Sequence, residues 1–148
     1  MFRPIRILAV VAAACLFAAC DEKLSNIAGP TPDLTPTFSS IQRDIFSAPD
    51  ATGRPACSGC HTSVGRAAAG GLVLTGDQAY EQLINFVSVR KPGAVRVIPG
   101  DPNNSYIIQK IEGQSGIVGT RMPFNGPYLS DGQILIIKRW IETGAPRN

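Results

Sequence analysis

Cys57-Ser58-Gly59-Cys60-His61 constrains this chain more than any other part of it. Two thiols three residues apart can react with two neighbouring groups on one molecule, and the adjacent histidine is delivered to the same place. C-x-x-C-H is the attachment signature of c-type haem. Each thiol would form a thioether with one haem vinyl, and His61 would sit beneath the iron as proximal ligand. Ser58 and Gly59 are small enough for the backbone to lie flat against the haem edge. Three other chemistries use such residues. A structural zinc site wants four Cys or His ligands, and the chain, once cleaved as described below, offers at most three beside Cys20. A thioredoxin-like pair wants a βαβ setting, which the sequence does not show. A disulfide suits an oxidising compartment but leaves His61 without a role.

The N-terminus reads as an address. Met1 to Arg6 is short and basic, and Ile7 to Ala19 is thirteen residues without a charge. That is too short to cross a ~30 Å hydrocarbon core, which takes about 20 residues as a helix. A basic start followed by a short apolar run is a secretory signal. It ends Leu16-Phe17-Ala18-Ala19-Cys20, which resembles the lipobox of bacterial lipoproteins, with Phe17 where leucine is usual. That resemblance implies cleavage after Ala19 and a lipidated Cys20. Residues 20–36 then hold Pro30, Pro32 and Pro36 and form an extended tether. At up to ~3 Å per residue it would lift a domain roughly 40–50 Å from a membrane surface.

Cleavage changes the arithmetic. Arg3 and Arg6 leave, so the formal charge falls by two from +3 to +1. A charge so small and scattered is no nucleic-acid footprint. One of the two methionines also leaves, and the chain has a single histidine. Bis-histidine ligation within the chain is therefore impossible, and Met122, in Arg121-Met122-Pro123, is the remaining thioether. As a sixth ligand it would give Met/His ligation and a raised reduction potential. Its setting of Gly and Pro predicts a loop, whereas a lone methionine elsewhere is usually core filler.

Hydrophobic spacing predicts short helices. The first runs from Thr37 to Ala48 with Phe38, Ile41, Ile45 and Phe46 on one face. Residues 66–75 read as a loop, with Gly70-Gly71 permitting close backbone approach to a flat cofactor and Leu72 and Leu74 turned inward. A second helix spans Asp77 to Val87, and Val95 and Val97 mark a short extended stretch. Asp101 as N-cap and Pro102 at the first helical position open a third helix, through about Glu112. Residues 113–128 form a glycine-rich loop. Ser130-Asp131-Gly132-Gln133 is a capping box for a last helix with Ile134, Ile137 and Ile141 on one stripe, Leu135 and Trp140 on its flank, and Gly144 as its stop. Arg54, Arg66 and Arg121 are candidate partners for haem propionates.

From Thr37 to Pro146 this pattern resembles the class I monohaem cytochrome c family, in the form found in bacterial lipoproteins. The residues that carry the resemblance are Cys57 to His61, Val97-Ile98-Pro99-Gly100-Asp101-Pro102 with Ser105, Arg121-Met122-Pro123, and the ending Trp140-Ile141-Glu142-Thr143-Gly144-Ala145-Pro146. It implies an all-α, cytochrome c-like fold over residues 37–148, with about four short helices around one covalent haem c and with the first and last helices crossing. It also implies that Cys57 and Cys60 anchor the haem and that His61 and Met122 are its axial ligands.

The expected role is that of an electron carrier and not of a catalyst. Iron with both axial positions filled offers no place for substrate. Encounters with redox partner proteins are then small and transient, made by a monomer or by a subunit of a larger assembly. The lipid anchor would hold the domain to a membrane facing the periplasm. Two alternatives stand beside this: a haem-based sensor of small ligands with a displaceable Met122, and an electron-relay subunit of a respiratory complex. A two-haem peroxidase is excluded by the single C-x-x-C-H, and no Ser/His/Asp or Cys/His catalytic set is present.

Overall fold

The computed structural model describes residues 34–148. The signal segment, Cys20 and the tether up to residue 33 lie outside the described residues. Leu34 is buried in the core, and the Thr35 amide donates to the Ser40 hydroxyl at 3.0 Å.

The fold is all-α. Helix α1, Phe38–Ile41, is capped by the Thr37 side chain and runs on into a π turn, Gln42–Phe46. That turn closes with the Ser47 amide on the Gln42 carbonyl at 2.9 Å. Short 3₁₀ turns follow at Cys57–Gly59 and Ala69–Gly71, then α2 (Gln78–Leu83), α3 (Tyr106–Glu112) and α4 (Asp131–Glu142). Among the described residues the β-type pairing is limited to isolated bridges, and no helix is long and apolar enough to cross a membrane.

The core forms from the stripes that the spacing predicts. Phe38, Ile41, Ile45 and Phe46 from the first helical segment meet Ile134, Ile137 and Ile141 from α4, with Leu83, Ile108 and Ile111 between. The first and last helices pack directly, the Phe38 and Trp140 rings lying 5.6 Å apart. The last residue closes the same seam, because the Phe38 amide donates to Asn148 Oδ1 and the Ser39 amide to the Asn148 carbonyl. Trp140, on the flank of that stripe, packs in the core as a large aromatic is expected to. It is fully buried, and its indole N–H donates to the Pro146 carbonyl at 2.9 Å, which satisfies the one polar atom such burial strands. Leu135, by contrast, is exposed.

The middle helices are shorter than the periodicity suggests. α2 stops at Leu83, not Val87: Ile84 turns extended and Asn85 takes a φ of 53°. The reason is competition for hydrogen bonds. The Asn85 amide donates to the Val97 carbonyl, Val97 to Leu83, and Arg96 to Phe86, so the Val95–Val97 stretch captures backbone groups a longer helix would use. α3 begins at Tyr106, with Ser105 at its N-cap position, and not at Pro102. Asp101 instead caps a turn, accepting from the Asn104 amide and side chain. The capping box of α4 is present as expected, with Gln133 N–H on Ser130 Oγ and Ser130 N–H on Gln133 Oε1.

Candidate functional site

Cys57 opens its 3₁₀ turn, and the amides of Cys60 and His61 both point back to the Cys57 carbonyl, at 3.2 and 2.9 Å. This winding puts the two thiols in different surroundings. Cys57 is half-buried against the core and Cys60 is exposed; both are free thiols. Burial pushes the Cys57 thiol pKa up, against the opposing pull of the Arg54 charge.

Arg54 holds Cys57 in place. It is fully buried. Its Nε donates to Asp50 Oδ2 at 2.9 Å, Nη1 to the Ile45 and Pro55 carbonyls, and Nη2 to the Ala48 carbonyl. Nη1 also lies 4.0 Å from Cys57 Sγ. The expectation that Arg54 serves a haem propionate is therefore corrected: its donors face the interior and bind the end of the π turn to the cysteine turn. Asp50 is held in turn by Gln133 Nε2 at 3.3 Å, so the cap of α4 and the seat of Cys57 belong to one network. Burial works to raise the Asp50 pKa, but hydrogen bonds from Thr52, Arg54 and Gln133 outweigh it and hold the carboxyl far below the usual range.

His61 is aimed by a loop that returns to it. The Ala69 amide donates to the Cys60 carbonyl and the Leu74 amide to the His61 carbonyl, which pins both ends of residues 61–74. Within it, His61 Nδ1–H donates to the Ala69 carbonyl at 2.9 Å. That bond fixes the tautomer, with the proton on Nδ1 and the lone pair on Nε2. Burial lowers the His61 pKa against this bond. Gly70 and Gly71, both at positive φ, make the turn that carries the Ala69 carbonyl round. A Cβ on Gly71 would stand 3.2 Å from the Val89 side chain, so residues 86–91 close on the same turn.

Met122 sits in its expected loop, half-buried, and that loop is sewn to the end of α3. The Met122 amide donates to the Lys110 carbonyl at 2.9 Å, and Arg121 Nε donates to the Ile111 carbonyl at 2.8 Å. The Lys110 ammonium holds the Val118 and Thr120 carbonyls. Lys110 also connects the two halves of the site, because its charge reaches His61 and contributes to lowering the imidazole pKa. Arg121 lies over the Tyr128 ring, and Arg66 reaches the Cys60 carbonyl at 3.4 Å from an exposed position.

Sequence reasoning missed the Ala69 carbonyl, which carries no side-chain signal, and Arg96, whose position in an extended stretch marked it as ordinary. Among the described residues no three His, Cys, Asp or Glu side chains converge where a metal ion could be held. No family model matches the chain, and no curated protein or solved structure matches it either.

Proposed function

We propose that this protein is a membrane-tethered monohaem cytochrome c that carries single electrons between redox partners on the periplasmic side of a bacterial membrane. The observation that carries the reading is the C-x-x-C-H turn with its histidine already oriented by the Nδ1–H bond to the Ala69 carbonyl. The donor set fits a covalent haem, with two free thiols one turn apart and one imidazole beside them. The loops around it also leave the apolar surface such a group would cover. Val64 lies three residues after His61, Val118, Phe124 and Tyr128 flank Met122, and all four are exposed. Haem c, when bound, supplies a one-electron Fe(III)/Fe(II) couple.

The chain's own residues would do the rest. Cys57 and Cys60 hold the group by thioethers. His61 and Met122 would hold the iron, which would exclude substrate from the metal. The stitching of Met122 to α3 and of His61 to Ala69 keeps both ligands from moving between redox states, so little reorganisation accompanies electron transfer. Lipidated Cys20 would tether the domain, and residues between it and Leu34 would set its reach.

Two measurements test this. The purified full chain should carry haem that survives denaturation, and Cys57→Ser with Cys60→Ser should lose it. The ferric protein should be low-spin with a far-red methionine-to-iron band that Met122→Ala abolishes. Haem that washes out on denaturation, or a high-spin spectrum of the unaltered protein, would refute the reading.

A further inference from the structure

Two arginines are buried in this domain, and they are treated differently. Arg54 is fully buried and faces the Asp50 carboxylate at 2.9 Å. Arg96 is 4% exposed and has only neutral partners. Its Nη1 donates to the Gln82 carbonyl at 2.7 Å and to Gln82 Oε1 at 2.8 Å, and its Nη2 to the Gly71 carbonyl at 2.8 Å. Its guanidinium lies over the Phe86 ring, 4.3 Å from the centroid. Among the described residues it makes no ion pair. A buried cation without a counter-charge is costly, and it acts strongly on any charge change nearby, because little water screens it.

The place of Arg96 gives that charge a target. The Gly71 carbonyl it grips belongs to the Ala69–Gly71 turn, whose Ala69 carbonyl aims His61. We propose that Arg96 is a positioning residue for the haem site that braces the His61 turn, and that its uncompensated charge raises the reduction potential. The proposal rests on the haem reading given above. Reduction takes one electron from a redox partner protein, Fe(III) becoming Fe(II), with no bond made or broken at the site and no proton moved. The local charge drops by one, and a fixed cation stabilises the state of lower charge.

Gln82→Glu is the direct test. A carboxylate oxygen would replace the amide oxygen that already accepts from Nη1, so Arg96 is neutralised without being moved. In spectrally monitored redox titrations of the haem-loaded full chain, Gln82→Glu should favour the oxidised form at least tenfold at a given applied potential. That corresponds to a midpoint lowered by about 59 mV for one electron. Arg96→Gln should lower it likewise, whereas Arg96→Lys, which keeps the charge and loses the fork, should retain most of the unaltered midpoint. An unchanged midpoint in Gln82→Glu overturns the proposal, and that test stands even if Arg96→Gln does not fold. Equal losses in Arg96→Lys and Arg96→Gln, with none in Gln82→Glu, would assign Arg96 a bracing role alone and overturn the electrostatic one. Absence of covalent haem in the unaltered protein is a different result: it removes the haem reading itself, and this proposal with it.

Discussion

Replacing Asp50 by Asn should strip Arg54 of its counter-charge among the described residues and destabilise the domain from the cysteine turn outward. The Arg54 side chain is 0% exposed and that of Asp50 12%, so the pair is close to the fully buried limit. Removing one partner of such a pair typically costs 3–5 kcal/mol. Asparagine cannot substitute, because every group that contacts the carboxylate is a donor. Oδ1 accepts from the Thr52 amide and hydroxyl and the Arg54 amide, and Oδ2 from Arg54 Nε and Gln133 Nε2. Either orientation of the amide turns an NH2 onto at least two donors. Three backbone carbonyls would still solvate Arg54, so the low end applies, about 3 kcal/mol at neutral pH. For a domain of this size that is a fall in Tm of about 10–15 °C.

The pH dependence follows from the sign of the shift. The folded-state pKa of Asp50 is depressed. Its stabilisation is therefore complete above the unfolded value of about 3.9 and is lost as pH falls below that toward the folded value. Asparagine does not titrate. The gap between the unaltered protein and Asp50→Asn should thus be full at pH 7 and much narrower at pH 2.5. Guanidinium unfolding of the haem-loaded protein at the two pH values, followed by far-UV circular dichroism, measures both. A cost below 1 kcal/mol at pH 7, or one equal at both pH values, would refute the assignment of Asp50 as the counter-charge that seats Arg54.

Other changes probe single links. Ser130→Ala removes one half of the α4 capping box and should cost about 1 kcal/mol, read as a lower midpoint at unchanged m-value. Gly113→Ala places a Cβ 2.8 Å from Arg121 Cδ at a φ of +73°. It should cost about 1–2 kcal/mol and weaken the far-red methionine band, because Arg121 can no longer hold the loop to Ile111; a normal band would argue against that coupling. Cys20→Ala should release the protein from membranes in cell fractionation, and unchanged membrane association would refute lipid anchoring.

Much of this domain was legible in the chain because its signals are local. The capping box of α4 needs only Ser130 and Gln133 three residues apart. The buried faces of α1 and α4 follow from 3.6-residue spacing, and the loop around Met122 from its glycines and prolines. The middle of the chain was less legible. The stretch from Ile84 to Val87 has helical spacing, yet Val95–Val97 offers its backbone a partner that no window of adjacent residues contains. Asp101-Pro102 looks like a helix start, but its side chain closes a turn and the helix waits for Tyr106.

The site divides in the same way. The identity of the candidate ligands is a matter of covalent order: two thiols three apart, one histidine beside them, and Met122 as the one methionine beyond the initiator. Those facts are in the sequence and no fold is needed to read them. What the tertiary structure decided is how each is held. Ala69 reaches His61 because a loop pinned at Cys60 and Leu74 turns back, Arg54 is buried because the π turn and Asp50 surround it, and Arg96 sits behind Gly71 without a counter-charge among the described residues. A hydrogen bond or an unpaired charge depends on which distant groups share a volume, and that is set only when the chain has closed on itself.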